Sequence, residues 1–549
     1  MLRETQPLLP RSGGTRDSRR WAPMLAALLL AAWLLTAQLY SGHLPLPHWP
    51  WPGHGRPTPK RNMIFFVTDG MGPASLSLAR SFRQHTEQLP LNDTLWLDRH
   101  LVGSSRTRSS DSLVTDSAAG ATAFACARKS YNGAIGVVPL GRSGRYAEAG
   151  ARPCGTLLEA AKLQGYATGL VVTTRITDAT PGAFSAHADL RVQEDLIAAQ
   201  QLGATPLGRT VDLMLGGGST HFRPHGRRDG RDLLGEAAAQ GWQVVDDMQG
   251  FAALQGGANV SLPLLALLAE NDIPFDIDRN PAQYPSLEEE AMTAVRALEA
   301  ATRDSDQGFF LLIEGSRIDH AGHQNDPAAQ VREVLAFDRA FRAVMEWAAA
   351  ADVETVMVST SDHETGGLTA ARQVTPEYPE YVWYPEVLAQ ASHSGEYVQR
   401  KIVGFEGSHA DKRRFIERDI MHRTLNITDY TANEIDMLAR ETDGNKVQDI
   451  LNRMVSVRAQ VGWTTHGHSA VDVNIYGYAN TKRAWYDLLD HLQGNHENTE
   501  IGAYMEQYLQ LDLDEVTERI ANVTHAPGKG ASVESVDAEL HDQYGHKLY

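Results

Sequence analysis

Short apolar segments alternate with helical segments along most of the chain, and this alternation restricts the fold more than any other sequence feature. Apolar strands are predicted at 62–68, 166–173, 212–215, 309–313, 355–359 and 471–478. Helices with apolar spacing are predicted between them, at 156–164, 287–303 and 328–350. The alternation predicts an α/β fold, in which a central, largely parallel sheet has helices on both faces.

Acidic residues stand where three of these strands end. They are Asp69, Glu314 and Asp362, and glycine follows the first two whereas histidine follows the third. In open α/β sheets, ligands bind outside the carboxyl ends of the strands. A single acid at such a place is usually a turn former, but three of them predict a functional site at this edge.

The segment 114–123 (Val-Thr-Asp-Ser-Ala-Ala-Gly-Ala-Thr-Ala) combines one hydroxyl with a run of small residues. Thr115 or Asp116 is a suitable N-cap, which would put Ser117 in the first turn of an Ala-rich helix. Free backbone N–H groups and the positive end of the helix dipole favour a phosphate there. Alone, the segment indicates only a capped helix; beside the strand-end acids, Ser117 becomes a candidate nucleophile.

Histidines accompany the acids in a pattern that is typical of metal ligands. Asp319 and His323 are four residues apart, so one helical turn would direct both toward one ion. Asp362 and His363 are adjacent, and a glycine separates His466 from His468. Oxygen and nitrogen donors without cysteine suit zinc. Glu314 and Thr180 offer only oxygen, which suits magnesium.

Six segments, taken in order, resemble motifs of the alkaline phosphatase family. They are 68–72 (Thr-Asp-Gly-Met-Gly), 115–119 (Thr-Asp-Ser-Ala-Ala), 178–181 (Asp-Ala-Thr-Pro), 314–323, 361–367 (Ser-Asp-His-Glu-Thr-Gly-Gly) and 466–468 (His-Gly-His). The resemblance implies hydrolysis of phosphate monoesters, with broad specificity, to an alcohol and inorganic phosphate through a phosphoserine. It also implies a homodimer.

The resemblance implies a role for each matching residue. Ser117 would be the nucleophile and Arg191 would clamp the phosphate oxygens. One zinc would be held by Asp69, Asp362 and His363, and a second by Asp319, His323 and His468, with His466 as the alternative to His468. Magnesium would be held by Asp69, Thr180 and Glu314, with Asp178 and His320 in the surrounding layer.

The N-terminus predicts a membrane anchor. Five arginines precede an uncharged apolar stretch at 21–40 that is long enough to span a bilayer. The arginine bias places residues 1–20 in the cytosol and the catalytic part in the lumen. A cleaved signal peptide is the alternative, but no clear small-x-small cleavage site follows the stretch. The sequence thus predicts a single-pass type II membrane protein.

Sorting and glycosylation motifs agree with that topology. Leu8 and Leu9 follow Glu4 in the spacing of an acidic dileucine signal, which a coat adaptor binds, although such short patterns also occur by chance. With the anchor, this motif makes the chain most similar to the vacuolar, membrane-anchored members of the family in fungi. Four Asn-x-Ser/Thr sequons lie beyond the anchor, at Asn92, Asn259, Asn426 and Asn522.

The domain organisation follows from these features. A linker rich in proline, glycine and histidine is predicted at 41–60, and a polar tail at 525–549. The catalytic domain is predicted in two parts, 61–368 and 459–524. Between them, residues 369–458 break the strand–helix alternation and form an insertion, where the family resemblance implies a crown-like subdomain on the dimer side.

Charge and cysteine content restrict partners and chemistry. The formal net charge of −18 excludes the bulk electrostatic attraction that nucleic acids need. Cys126 and Cys154 are too few for a disulfide scaffold, and form one bridge or stay free.

Other functions fit the sequence less well. Diesterases usually place threonine at the nucleophile, sulfatases need a different signature, and a phosphoglycerate mutase is a third relative of this chemistry. A membrane-anchored binding protein with an inactive site would have lost ligands, and all are present here.

Overall fold

The computed structural model describes residues 60–141, 144 and 150–525. The predicted cytosolic tail, the membrane anchor, all but the last residue of the linker and all but the first residue of the C-terminal tail lie outside these residues. Among the helices that are described, none is both long and apolar enough to cross a membrane.

The strands of the described residues include long central ones and short, polar ones at the edges. In chain order they are β1 (Arg61–Val67), β2 (Leu101–Arg106), β3 (Val137–Pro139), β4 (Ala151–Pro153), β5 (Ala167–Arg175), β6 (Leu213–Gly217), β7 (Gln243–Val245), β8 (Leu264–Leu267), β9 (Phe309–Glu314), β10 (Glu354–Thr360), β11 (Glu364–Thr365), β12 (His468–Ser469), β13 (Val473–Ala479) and β14 (Gly494–Glu497).

Ten of these strands form one sheet in the order β14-β2-β13-β10-β1-β9-β5-β6-β8-β7. Only β13 runs antiparallel to its neighbours, β10 and β2, and the other adjacent pairs are parallel. The sheet is therefore largely parallel, as the sequence predicted. Two small pairs, β3–β4 and β11–β12, stand apart from it.

Helices connect most of the strands. Those of the described residues are α1 (Pro73–Thr86), α2 (Ser117–Cys126), α3 (Leu157–Leu163), α4 (Ala179–Ser185), α5 (Glu194–Gln201), α6 (Leu233–Ala239), α7 (Met248–Ala253), α8 (Leu287–Thr302), α9 (Arg317–His323), α10 (Pro327–Ala350), α11 (Pro385–Gln390), α12 (Gly395–Val403), α13 (His409–Phe415), α14 (Ala432–Arg440), α15 (Gly444–Ala459), α16 (Lys482–Leu492), α17 (Asn498–Leu509) and α18 (Leu513–Arg519). A π-helical segment, Ile416–Leu425, follows α13, and short 3-10 turns lie at Leu97–His100, Ser219–Phe222 and Gln255–Gly257.

Helices cover both faces of the sheet, and the alternation of side chains along β1 shows why. Ile64 and Phe66 point into a core that is completed by α8 and α10. Met63 and Phe65 point into a second core, which α3, α16 and α17 complete on the opposite face. Strands buried on both sides need continuous apolar sequence, and β1 is buried throughout. The predicted two-faced α/β architecture is confirmed.

Helices α11 to α15 lie in the segment between β11 and β12. Their apolar residues, such as Leu388, Val398 and Leu451, belong to the same core that contains α10. Helices α14 and α15 are separate, because Glu441 to Asp443 leave the helical path and Asp443 caps α15.

Cys126 and Cys154 are joined by a disulfide. The bond ties the last residue of α2 to the segment that follows β4. It decides between the two alternatives that the sequence left open.

Candidate active site

The three strand-end acids meet at one edge of the sheet. β10, β1 and β9 are adjacent, and Val67 of β1 pairs with Thr360 on one side and with Glu314 on the other. Asp69 and Asp362 each follow their strand by two residues, whereas Glu314 ends its own. All three carboxylates are buried at the carboxyl edge, where α/β sheets bind ligands.

Ser117 faces this edge from the first position of α2. Asp116 caps the helix, since its side chain accepts a hydrogen bond from Ala119 N at 2.9 Å. Ser117 Oγ lies 3.0 Å from His363 Nε2 and 3.5 Å from Asp69 Oδ1. The hydroxyl therefore lies at a helix N-terminus and next to both kinds of candidate metal ligand, an imidazole nitrogen and a carboxylate oxygen.

Glycines let the backbone segments approach closely here. A Cβ on Gly120 of α2 would lie 2.9 Å from Asp362 Cβ. Gly70, with φ +76°, would bring a Cβ within 2.6 Å of Asp319 Cα. The small residues of the 114–123 motif and the glycine after Asp69 thus bring Ser117, Asp319 and Asp362 together.

The ligand candidates form two groups. In the first, here called the inner group, Asp69, Asp362 and His363 are all buried and their donor atoms lie within 4.8 Å of one another. His363 Nε2 is 3.2 Å from Asp362 Oδ2 and 3.6 Å from Asp69 Oδ1. Asp362 Oδ2 is buried and accepts no hydrogen bond from any residue that the structure describes.

The second group, here called the outer group, contains Asp319, His323 and His468 within the same 4.8 Å limit, and its two histidines are half-buried. Helix α9 places Asp319 and His323 on one face, with His323 Nε2 3.3 Å from Asp319 Oδ2. His468 comes from β12 and stacks on His363, with ring centroids 3.5 Å apart. The rings of His363 and His468 thus join the two groups.

The hydrogen bonds at Nδ1 leave the Nε2 atoms of both imidazoles of the outer group directed toward Asp319. His468 Nδ1 lies 2.7 Å from the carbonyl of Thr115, and His323 Nδ1 contacts the carbonyl of His466. With protons on Nδ1, the Nε2 atoms of His323 and His468 present lone pairs to each other across 3.1 Å. Such lone pairs repel unless a cation lies between them, so this donor set fits a metal ion.

The raised pKa values of the acids also indicate a cation site. Burial raises the pKa of Asp69 well above its usual range, and the charges of Asp362 and Asp319 add to the effect. Burial, then Asp319, raises the pKa of Asp362 to about 7. These carboxylates repel one another in a buried place, which a bound cation would relieve.

An oxygen-only set lies beside the inner group. Burial raises the pKa of Glu314 to about 8, although Ser316 Oγ donates a hydrogen bond to it at 2.5 Å. The hydroxyl of Thr180 lies beside the same carboxylate, and the charge of Asp178 acts on it. Thr180 and Asp178 stand at the start of α4, with Asp178 as its N-cap. Buried oxygen donors of this kind fit a hard divalent cation.

Arg191 is held between two acids, one of which is Asp116, the residue before Ser117. Its Nη2 donates to Asp178 Oδ1 at 2.9 Å, and Nη1 is 3.5 Å from Asp116 Oδ2. Burial alone would raise the pKa of Asp178, but Arg175 and Arg191 hold it below its usual value. A guanidinium fixed in this way beside Ser117 is suited to bidentate contact with a phosphate.

The two remaining histidines lie outside the groups. His466 Nδ1 lies 2.7 Å from the carbonyl of His323, so its ring braces the loop, and the group contains His468. His320 lies on α9 with its Nδ1 3.3 Å from Arg317 Nε and 3.6 Å from Asp272 Oδ2. Burial lowers the pKa of His320, which favours the neutral ring.

The family model described as "Alkaline phosphatase" matches residues 60–511, and so covers most of the chain and every residue of both groups. The chain belongs to the alkaline phosphatase family. Curated relatives agree: the repressible alkaline phosphatase of Saccharomyces cerevisiae is 59% identical over 509 residues, which are 89% of this chain and 88% of the relative. The alkaline phosphatase of Schizosaccharomyces pombe is 46% identical over 505 residues, with the same shares covered.

Solved structures of the family share the fold. A cold-active alkaline phosphatase from Shewanella sp. superposes with a TM-score of 0.66 at 29% identity, covering 82% of this chain and 99% of its own. The alkaline phosphatase of Thermus thermophilus gives 0.68 at 25% identity, covering 87% and 99%. The protein is therefore a metal-dependent hydrolase of phosphate monoesters.

Sequence reasoning missed two residues that this alkaline phosphatase uses to shape the site. Arg175, the last residue of β5, contacts Asp178 at 3.1 Å and Asp272 at 2.7 Å. Thr365 donates to Asp319 Oδ1 and lies 3.2 Å from His363 Nδ1, so it links the two groups. The sequence did contain a signal for Arg175, because this residue ends a strand three residues before Asp178, the N-cap of α4. Thr365 depends on a contact between distant segments that the sequence does not reveal.

Proposed function

We propose that Ser117 is the nucleophile of this phosphatase and that Arg191 binds two oxygens of the phosphoryl group. The observation that supports this most is the position of Ser117 Oγ, at a helix N-terminus and 3.0 Å from His363 Nε2. The site therefore offers the hydroxyl a place among metal-ligand atoms, and no separate base is required to activate it.

The inner group would hold one zinc and the outer group a second. Asp69, Thr180 and Glu314 would hold magnesium, with Asp178 behind them. Bound metal supplies Lewis acidity, which lowers the pKa of a coordinated hydroxyl or water and neutralises charge on the phosphoryl oxygens. The donor types support this assignment: nitrogen and oxygen in the two groups, oxygen alone around Glu314.

The residues act in two displacements. Ser117 Oγ forms a bond to phosphorus while the ester bond to the alcohol oxygen breaks; Ser117 loses a proton and the alcohol gains one. Water then attacks the phosphoserine, which frees Ser117 and releases inorganic phosphate. Arg191 holds the phosphoryl oxygens through both steps, and the backbone N–H groups at the start of α2 face the same place.

A chelation experiment tests the assignment. Phosphate release from p-nitrophenyl phosphate is measured on the intact enzyme, after dialysis against a chelator, and after zinc and magnesium are added back separately and together. We expect activity to vanish on chelation and zinc to restore most of it, with magnesium adding to zinc but failing alone. Full activity in the metal-free protein would refute the metal-based site.

We also propose a type II topology with residues 1–20 in the cytosol and the catalytic domain in the lumen of a vacuole or lysosome-like compartment. The disulfide between Cys126 and Cys154 supports an oxidising compartment. All four sequon asparagines are exposed, which supports glycosylation. Protease added to sealed vesicles should remove only the N-terminal tail. Loss of phosphatase activity would show that the catalytic domain faces the cytosol instead.

Leu8 and Leu9 would direct the protein to that compartment through a coat adaptor. Replacing both with alanine should slow delivery and leave phosphatase activity unchanged, because the motif acts on the cytosolic side. If the double-alanine variant is delivered at the wild-type rate, Leu8 and Leu9 match the dileucine pattern only by chance.

A homodimer, with residues 369–458 as a crown-like subdomain on the dimer side, completes the proposal. Light scattering of the lumenal part should give twice the chain mass. A monomer at micromolar concentration with full activity would contradict it.

A further inference from the structure

A cavity of about 590 Å³ opens beside the outer group. His320 and His323 of α9 line it, together with Glu270 and Asn271 from the segment that follows β8. Tyr284 closes one side. Neither the phosphate clamp nor the ligand groups account for these last three residues.

The order of contacts shows which half of a substrate this cavity faces. Ser117 touches His363, His363 stacks on His468, and His468 Nε2 lies 3.1 Å from His323 Nε2. His323 also lines the cavity, so the cavity adjoins the outer group. In an in-line displacement, the leaving group departs opposite the nucleophile. If Ser117 is the nucleophile, as proposed above, the alcohol half of the ester leaves toward this cavity.

The charges that line the cavity are already paired. Arg175 lies 2.7 Å from Asp272 Oδ1. Arg317 Nη2 donates to Glu396 Oε2 at 2.7 Å, and Arg400 contacts the same carboxylate. Because each guanidinium has an acidic partner, the lining gives no strong preference for a second phosphate or a carboxylate on the alcohol half.

Three side chains on the walls, by contrast, have hydrogen-bonding capacity to spare. Among the described residues, nothing bonds to the Glu270 carboxylate, the Asn271 side-chain amide or the Tyr284 hydroxyl. Together they offer an acceptor, an amide with both functions, and a hydroxyl next to an aromatic face. Alternating donors and acceptors beside a ring complement an alcohol with several hydroxyls and exposed C–H groups.

We propose that this cavity is the subsite for the leaving alcohol and that it selects polyhydroxylated alcohols, such as sugars, through Glu270, Asn271 and Tyr284. The inference rests on the proposed function, since the direction of departure depends on Ser117. It adds a preference within a broad specificity: the phosphoryl centre accepts any monoester, and the cavity favours those whose alcohol bonds to its walls.

The test compares three substrates on the metal-loaded enzyme. Ethyl phosphate and glucose 6-phosphate differ only in the alcohol half, and fructose 1,6-bisphosphate adds a second phosphate. The variants are N271A, Y284F and the double variant N271A/Y284A. Tyr486→Phe, which changes an exposed tyrosine on α16, is the matched control. We expect the wild type to favour glucose 6-phosphate in kcat/KM, and the double variant to lose about tenfold of that preference, the effect of one or two hydrogen bonds.

The outcomes separate this inference from the proposed function. Ethyl phosphate should be hydrolysed by every variant within about twofold of wild type, as its ethyl group has no donor or acceptor for these residues to bind. Equal loss on both substrates, or an unchanged ratio in the double variant, would overturn the subsite. A wild-type kcat/KM that is higher for fructose 1,6-bisphosphate than for glucose 6-phosphate would overturn the argument that the paired charges give no preference for a second phosphate. Failure of the wild type on all three substrates would instead refute the proposed function.

Discussion

Two sets of buried acids lie close together in this protein, and they have opposite electrostatics. Asp69, Asp362 and Glu314 stand at the strand ends with no lysine or arginine within ion-pair distance among the described residues. Asp178 is buried and Glu396 is half-buried, and each has arginine partners, Arg175 and Arg191 for the first, Arg317 and Arg400 for the second.

The pKa values separate in the same way. Burial raises the pKa of Asp362 to about 7 and that of Glu314 to about 8. Burial acts on Glu396 too, but Arg317 and Arg400 hold its pKa at about 2. Burying a charge without a partner costs free energy, so a fold that keeps the first set must gain its counter-charge from outside the chain. Metal cations supply that counter-charge in this family. The acids of the second set are neutralised by their own arginine partners.

The largest effect should come from the nucleophile that the metal-dependent set surrounds. In Ser117→Ala the acids and histidines are unchanged, so bound metal should stay at the wild-type level while turnover falls by about a thousandfold or more. Rapid acid quench with labelled substrate should find no covalent phosphate. Exposed Ser392→Ala is the control. Labelled phosphate on Ser117→Ala at the wild-type level would contradict the assignment.

Next in size is the contrast between two histidines that are two residues apart. His468→Ala removes a donor of the outer group, and should lose one zinc equivalent with 10- to 100-fold or more of activity, the range seen when metal-site partners are removed. His466→Ala keeps the backbone carbonyl that contacts His323 Nδ1, and should stay within about threefold. Equal losses of activity and zinc would show that the ligand is misassigned.

The three strand-end acids of this site could be predicted from the apolar pattern, whereas Arg191 and the assignment of ligands to each metal came from the resemblance to the family. Asp69, Glu314 and Asp362 were located by the ends of β1, β9 and β10, each with buried, apolar sequence. Strands β2, β7, β8 and β14 were not predicted. β7 and β14 are the edge strands, and β2, β7 and β14 are half-exposed, with polar residues that weaken the apolar pattern. β8 is buried but has only four residues. Pairings across the fold, such as Arg175 with Asp272 and the disulfide, need the tertiary structure.

A smaller effect is expected from Arg191, which belongs to the arginine-paired set. Arg191→Ala removes a bidentate contact to the phosphoryl group, so KM and the inhibition constant for phosphate should both rise by about tenfold or more, with a lesser change in kcat. Arg191→Lys should fall between, as lysine retains the charge without the fork. Unchanged inhibition by phosphate in Arg191→Ala would count against the clamp.

The smallest effect concerns stability and asks whether burial alone produces the raised pKa values. Glu333 of α10 is buried away from the two ligand groups, and its Oε1 accepts a hydrogen bond from Asp276 N at 2.6 Å. Burial, then the charge of Asp276, raises its pKa from 4.5 to about 7. Between those pH values the folded protein holds a proton that the unfolded chain has lost, so the free energy of unfolding decreases as pH rises. The change is at most about 3 kcal/mol.

Glu333→Gln keeps the acceptor and removes the titration. Urea unfolding of the metal-loaded protein at pH 5 and pH 8 should therefore show a smaller decrease for the variant than for the wild type. Glu346→Gln, an exposed acid on the same helix, should follow the wild type. If Glu333→Gln follows it as well, burial in this fold does not by itself raise a carboxyl pKa, and the raised values at the strand ends must come from the mutual repulsion of the acids gathered there.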